Sequence, residues 1–301
     1  MSRTDVTTLQ LYKTLEVRFD RAAQMYDATF GPADANGHGN PLLDWLRAEH
    51  VRLLRELLPA RAAVLDIGCG TGEEALTLVR EGYSVLGIDV SPMMIRQAQT
   101  KAAVFGVRRG FTCRVLPAGQ LGRLDERGPF QGAYASLGTL NTEPDLPGFA
   151  RDLHALLERG APFVATVMSR RCLFEIVWNL RRLKPTATLK RSGVWAESRA
   201  GASAVTAPVR FYSPRAFAAP FLPYFAVESV RAFPLWLPPV HLHEVYRDAP
   251  DGFARAKRWD ARMSTWPVFR ALGDHFLMVL RHTADPQPDL NQADQDERVN
   301  P

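Results

Sequence analysis

Cysteine is scarce and scattered in this chain. Cys69, Cys113 and Cys172 are the only three in 301 residues. They are odd in number, far apart and in no CxxC or Cys/His cluster, which argues against a disulfide framework and a zinc site. No metal ligand set is expected. Long apolar runs are missing as well: none reaches the ~18 residues that would span a bilayer. The N-terminus, MSRTDVTTLQ, lacks the apolar stretch of a secretory signal. Reduced, buried thiols and a cytoplasmic location are the expectation. Neither charge sign dominates, with 37 Lys and Arg against 32 Asp and Glu, a net charge of +5. No basic patch interleaved with aromatics matches a nucleic-acid module, so no nucleic-acid partner is expected. The surplus is local. Residues 170–231 carry eleven Lys and Arg against Glu175, Glu197 and Glu228.

What is present is enough for one large domain, or one domain with a cap. A chain of this size buries about 75% of its unfolded surface without staples. Thr7 to Tyr26 has apolar residues at helical spacing. Asn40-Pro41 reads as a cap with proline in the first turn of a second helix. Strands are expected at 62–67, 84–89, 111–116, 130–136 and 161–168, alternating with helices at 72–81, 91–104 and 145–158. Such alternation implies a doubly wound α/β fold, a parallel sheet with helices on both faces. After Met168 the pattern changes. Two strands around Gly201 suggest a hairpin, Ser213-Pro214 starts a short helix, and strands are expected at 225–233 and 275–281. The expected organisation is a helical lid (1–58), a core (59–168), a cap insertion (169–223), final strands with a second insertion (224–283, with 234–273 inserted) and a disordered tail (284–301).

The most informative stretch is Val64-Leu-Asp-Ile-Gly-Cys-Gly-Thr-Gly-Glu-Glu-Ala75. An apolar strand breaks into Gly68, Gly70 and Gly72 and then into a helix. Glycine lets the backbone bend sharply and approach a ligand, and the helix turns its unpaired N–H groups toward that ligand. Asp66 stands just before the turn. Asp89 ends the next strand, 21 residues after Gly68, a spacing that suits the hydroxyls of a ribose. The spacing GxGxG differs from the GxGxxG of dinucleotide enzymes, which remain the competing reading.

VLDIGCGTGEEA, VLGIDVSPMMIRQA and FQGAYASLGTLNT resemble the first, second and fourth strand-end motifs of the class I S-adenosylmethionine (SAM)-dependent methyltransferases. FDRAAQMYD resembles the N-terminal helix of quinone and related small-molecule members. The resemblance implies a seven-stranded Rossmann-like sheet with its last strand antiparallel, capped by the insertions and the N-terminal helices. It implies SAM as cofactor. Gly68, Cys69, Gly70 and Gly72 would line its methionine and ribose. Asp66 would orient its amino group and Asp89 would hold the ribose, with Val90 beside it. Met93 or Met94 would pack on adenine. Ser136 and Leu137 would face the sulfonium, and Tyr26 would close over the cofactor. The family's acid after the third strand is missing. The chain has Pro117-Ala118-Gly119-Gln120 there, so Gln120 or backbone groups must serve.

Ligands of open α/β sheets bind beyond the carboxyl ends of the strands, where the two insertions would form a roof. Trp178, Trp195, Tyr212 and Trp236, with His38 from the glycine-rich loop, are the candidate acceptor contacts. They point to a small apolar or aromatic substrate, or else simply form the core of a cap. Among seven histidines, His241 and His243 alternate on one segment of the second insertion and are the candidates for a general base. The basic 170–191 segment could touch a membrane or an anionic substrate. The expected activity is O- or C-methylation. The alternatives are a non-catalytic SAM-binding or scaffold subunit and a membrane-associated lipid or quinone methyltransferase. Oligomeric state is left open.

Overall fold

Val64 and Leu65 face opposite sides of the first strand, and that two-residue period organises the molecule. The structure, a computed structural model, describes residues 3–30, 40–126, 128–183, 191, 195–199, 205–240, 242, 245 and 250–283. Five parallel strands, β1 (Ala63–Ile67), β2 (Ser84–Asp89), β3 (Phe111–Val115), β4 (Gly132–Ala135) and β5 (Pro162–Met168), alternate with α3 (Glu73–Arg80), α4 (Pro92–Val104) and α5 (Leu146–Leu156). Two further strands, β8 (Phe225–Phe233) and β9 (His275–His282), complete the sheet in the order β3-β2-β1-β4-β5-β9-β8. The last strand, β9, is antiparallel to both its neighbours.

Leu65, Ile67, Leu86, Ile88, Phe163 and Phe276 enter one core with α5 and with Phe217 of α7 (Pro214–Ala218). Val64, Val85, Val164 and Leu277 enter the other, beneath α2 (Pro41–Leu57), α3 and α4. Burial of both faces explains why the central strands read as continuous apolar runs. The helices begin where short polar side chains meet proline. Asn40 accepts from the N–H groups of Leu42 and Leu43, Ser91 from Met94, and Ser213 from Ala216. Each satisfies donors that the first helical turn leaves unpaired.

Helix α1 (Arg3–Phe30) is longer than the spacing in the sequence indicates and lies across the carboxyl edge of the sheet. Asp20 accepts from Ser91 Oγ and from the Met93 N–H. Gln97 donates to the Ala23 carbonyl, and Lys101 pairs with Asp27 at 2.7 Å. Past β5 come α6 (Leu173–Arg181) and a two-stranded ribbon, β6 (Ala196–Arg199) with β7 (Thr206–Val209). Arg18 of α1 ties to Glu197 of this ribbon at 2.6 Å. Helix α8 (Pro250–Met263) supplies order inside the second insertion. The expected hairpin tip at Gly201 and the tail 284–301 lie outside the described residues.

Candidate active site

The glycine turn bends through three left-handed residues, Gly68 (φ 73°), Gly70 (φ 53°) and Gly72 (φ 84°). At Gly68 a Cβ would sit 2.3 to 2.9 Å from the side chain of Thr139, so the turn and the β4 loop interlock only because glycine is there. The Gly70 N–H donates to Asp89 Oδ2 at 2.9 Å, and the Ser91 N–H donates to Oδ1 at 2.8 Å. These bonds fix the carboxylate at the end of β2. Burial pushes its pKa up to about 6, against the pull of the two N–H donors. At the end of β4, Leu137 has a φ of 50°, a strained conformation for a branched side chain, next to Gly138 at 83°.

These features open into one cavity of about 770 Å³. Its near end is lined by Tyr26, Gly68, Cys69, Gly70, Asp89 and Val90. Met94, Ala118, Ser136 and Leu137 line it as well. The remaining expected cofactor residues lie one layer back. Asp66 is buried and accepts from Tyr134 Oη at 2.8 Å, and its Oδ1 has no hydrogen-bond partner. Burial, reinforced by Glu74, raises its carboxyl well above the usual range, against the Tyr134 bond. Gly72 packs its bare Cα against Ala98 and Phe111. Met93 packs on the small cluster of Ala22, Ala23 and Met94.

The loop after β3 does not present Gln120 to the cavity. The Gly119 N–H is held by Glu143 Oε2 at 2.8 Å, which turns Gly119 away, and Gln120 Oε1 accepts from Arg123. Leu116, Pro117 and Ala118 line the wall instead. Glu143 is the centre of this arrangement. It is buried and also accepts from Tyr12 Oη at 2.8 Å and from the Asp145 N–H. Sequence reasoning passed over it, because nothing in SLGTLNTEP marks one acid as buried. Arg47, paired with Glu74 at 3.6 Å on the cavity wall, was also missed.

The far end of the cavity is made by residues of the last third of the fold. Trp178 of α6 reaches it, stacked on Phe174 and covered by Arg182 at 4.4 Å. The other expected acceptor contacts are not there. Tyr212 is buried in the core against Phe217, because β5 recruits it through a bridge to Ser169. Trp236 is drawn aside by Phe269, and Asp260 of α8 binds its backbone N–H. Trp195 is 40% exposed and lies off the cavity lining. His38, His241 and His243 lie outside the described residues. The described histidine on the cavity wall is His275, at the start of β9, beside Asp274, Arg191 and Glu175. Among the described residues no group of three or more His, Cys, Asp or Glu is placed to hold a metal ion.

Residues 64–160 match a family described as a methyltransferase domain. That segment is about a third of the chain and holds the glycine turn and Asp89. The chain is 30% identical over 159 residues to a ubiquinone biosynthesis O-methyltransferase of Methylobacterium nodulans, covering 51% of this chain and 62% of that protein. It is 37% identical over 97 residues to a demethylmenaquinone methyltransferase of Tropheryma whipplei, covering 31% and 36%. The chain thus spans between about a third and three-fifths of these curated relatives. Among solved structures, the CcbJ methyltransferase of Streptomyces caelestis superposes with a TM-score of 0.56 at 17% identity, covering 89% of this chain and 98% of that one. The [4+2]-cyclase SpnF superposes with a TM-score of 0.59 at 15% identity, covering 90% and 95%. These likenesses show the methyltransferase fold, and that fold serves a cyclase as well as methyltransferases.

The residues present fit the family's cofactor. Asp89 offers two fixed acceptors to a ribose diol, and the orphaned Asp66 Oδ1 offers a buried acceptor behind the turn. Gly70 leaves room for close backbone approach, with Tyr26 Oη 4.0 Å from where its Cβ would be. Leu116, Val90 and Met94 give an apolar slot for a planar base.

Proposed function

We propose that this protein is a SAM-dependent methyltransferase acting on a small apolar or aromatic molecule. The observation that carries the reading is the continuity of the cavity from the glycine turn and Asp89 to Met168, Trp178 and Phe211. Its volume of about 770 Å³ lies in the usual range for small-molecule sites. SAM supplies an activated methyl group. The chain's own part is to hold donor and acceptor in line and to exclude water, which can supply on the order of 7–11 kcal/mol. Asp89 fixes the ribose, Leu137 and Gly138 border the methyl position, and α1 closes the top through Tyr12, Asp20 and Arg18. The names of the ubiquinone and menaquinone relatives support an aromatic acceptor.

Calorimetry with S-adenosylhomocysteine tests the reading. Wild type binds, and Asp89→Ala loses two charge-assisted hydrogen bonds, about 3 kcal/mol or more than a hundredfold in affinity. A folded wild type that does not bind removes the proposal. Binding without turnover on any acceptor would favour the scaffold alternative.

A second reading concerns location. No described helix is long and apolar enough to cross a membrane. Yet Val177, Leu180 and Leu183 of the α6 region are exposed beside Arg170, Arg171, Arg181 and Arg182. An apolar strip flanked by cations suits an anionic lipid surface. Flotation with anionic vesicles should carry the wild type and leave the variant with all four arginines neutralised behind. Equal partitioning rejects this reading.

A further inference from the structure

We propose that His275 is the general base of this enzyme, held in its working tautomer by Asp274, and that the acceptor is a phenol-like hydroxyl. The inference rests on the methyl-transfer reading of the cavity and extends it to the acceptor end.

The geometry begins with Arg191. Its five N–H bonds are all used. Nε and one Nη2 bond go to Glu175 at 2.9 and 2.7 Å, and the two Nη1 bonds go to the carbonyls of Ser169 and Asp274. The fifth goes to Asp274 Oδ1 at 2.5 Å. Arg191 therefore occupies one oxygen of Asp274 and leaves the other for His275, whose Nδ1 lies 3.0 Å from Oδ2. Burial raises the Asp274 carboxyl, but the His275 ring and the Arg191 guanidinium outweigh it and hold the group well below the usual carboxylate range. An ionised carboxylate can only accept, so Nδ1 carries a proton, and in the neutral ring the lone pair is on Nε2. Among the described residues, the polar contact of this ring is the one between Nδ1 and Asp274. His275 lines the cavity. Asp274 and Arg191, which also line the cavity, act as positioning residues, and His275 is the group offered to the reacting atoms.

Topology places this ring at the right depth. Strand β9 runs against β5, so it starts where β5 ends, and His275 pairs in register with Met168. Gly138, beside the expected methyl position, lies against Met168: a Cβ there would be 2.9 Å from Met168 Cγ. Two strand spacings, roughly 10 Å, separate the end of β4 from the start of β9. Strand β5 lies between them, and beyond its end at Met168 that span is wide enough for a methyl group and one small acceptor between the donor and the base.

The chemistry limits the acceptor. A neutral imidazole takes a proton at least cost from groups that ionise not far above neutrality, such as phenols and enols, whereas an alkyl alcohol demands far more of it. In the step, the O–H bond breaks and its proton passes to His275 Nε2. The oxygen's electron pair forms the O–CH3 bond. The S–CH3 bond breaks with its electrons left on sulfur, giving the neutral thioether. The imidazolium, paired with Asp274, then releases the proton to solvent. Trp178 and Phe211 would flank an aromatic ring in this position.

Two measurements test the proposal. In the wild type with S-adenosylhomocysteine at slightly alkaline pH, nitrogen-15 NMR of the histidines should show the His275 proton on Nδ1. Asp274→Asn should lose that preference. A proton on Nε2, or on both nitrogens, overturns the proposal without any need for a substrate. The second measurement uses a series of para-substituted phenols, from para-nitrophenol to para-methoxyphenol. His275→Gln should lower kcat on para-methoxyphenol by roughly 10²–10⁴-fold and on the already ionised para-nitrophenol by less than about tenfold. Equal loss across the series means a structural role and overturns the proposal. A wild type that binds S-adenosylhomocysteine and methylates none of the phenols overturns the acceptor class. Failure to bind S-adenosylhomocysteine is instead a failure of the methyl-transfer reading, so the two are told apart.

Discussion

Gly68 and Asp89 are 21 residues apart and stand at the ends of adjacent strands, whereas Glu175 and His275 are 100 residues apart and meet only through Arg191 and Asp274. The first group serves one end of the cavity and the second the other. At the cofactor end the contacts are largely backbone: left-handed glycines, N–H groups on Asp89, and the N-terminus of α3. At the proposed acceptor end they are charged side chains, most of them buried, from three segments. Backbone geometry follows from local sequence, so it can be read along the chain. A buried ion cluster is worth something only when all its members arrive together. The comparison predicts that damage at the two ends will look different.

The largest effect is expected at the acceptor end. Arg191→Ala leaves the buried Asp274 and the half-buried Glu175 without their cation, and such a loss costs about 3–5 kcal/mol. Denaturant unfolding should show it, while the affinity for S-adenosylhomocysteine of the folded variant stays within about twofold of wild type. A large loss of cofactor affinity would show that the two ends are coupled. Next comes Gly68→Ala, which combines a left-handed alanine with overlap on Thr139, together about 2–5 kcal/mol. Thr139→Gly added to it should recover part of the thermal midpoint. No recovery would mean that backbone strain alone sets the cost.

A smaller loss is expected from Tyr12→Phe, which removes one bond to the buried Glu143 carboxylate. It should lower stability by about 1.5–3 kcal/mol, measured by chemical denaturation. It should also loosen α1, seen as faster amide exchange between Tyr12 and Phe19. Unchanged exchange would show that the contacts of Asp20 and Lys101 suffice. The mildest perturbation is pH. Asp89 has a carboxyl raised from 3.8 to about 6, so the free protein binds this proton more readily than the unfolded chain. Its contribution to stability therefore falls as pH rises from about 4 to about 6. Cofactor binding runs the other way, because only the carboxylate can accept from both ribose hydroxyls. Affinity for S-adenosylhomocysteine should drop below pH 6, by up to about tenfold per unit. Calorimetry from pH 5 to 8 checks this, and a flat profile would remove Asp89 from the ribose.

The same contrast accounts for what could be read in advance. Strands β1 to β5, the cap residues Asn40, Ser91 and Ser213, and the glycine turn all carry local signals of period, capping chemistry or left-handed backbone. Their positions in the structure agree with those signals to within a residue or two. Trp178, Trp195, Tyr212 and Trp236 carried only an aromatic character, which serves a core as well as a binding wall. Tyr212 and Trp236 went to packing, Trp195 stayed at the surface, and Trp178 reached the cavity. Gln120 followed from position after a strand, but the buried Glu143 turns that loop. The Asp274-His275 pair at the head of the last strand could have been noticed. An antiparallel last strand in this fold must begin at the edge where the parallel strands end.

The sequence by itself determined the alternation of strands and helices, the glycine turn and the acid at the end of β2, because each depends on residues close together in the chain. Only the tertiary structure decided what stands at the far end of the cavity. It folds β9 back between β5 and β8, brings Asp274 and His275 beside Met168, and locks them with an arginine from the cap. The free energy of such a cluster comes from burial and from every polar atom finding its partner, and neither can be assigned until distant segments have met.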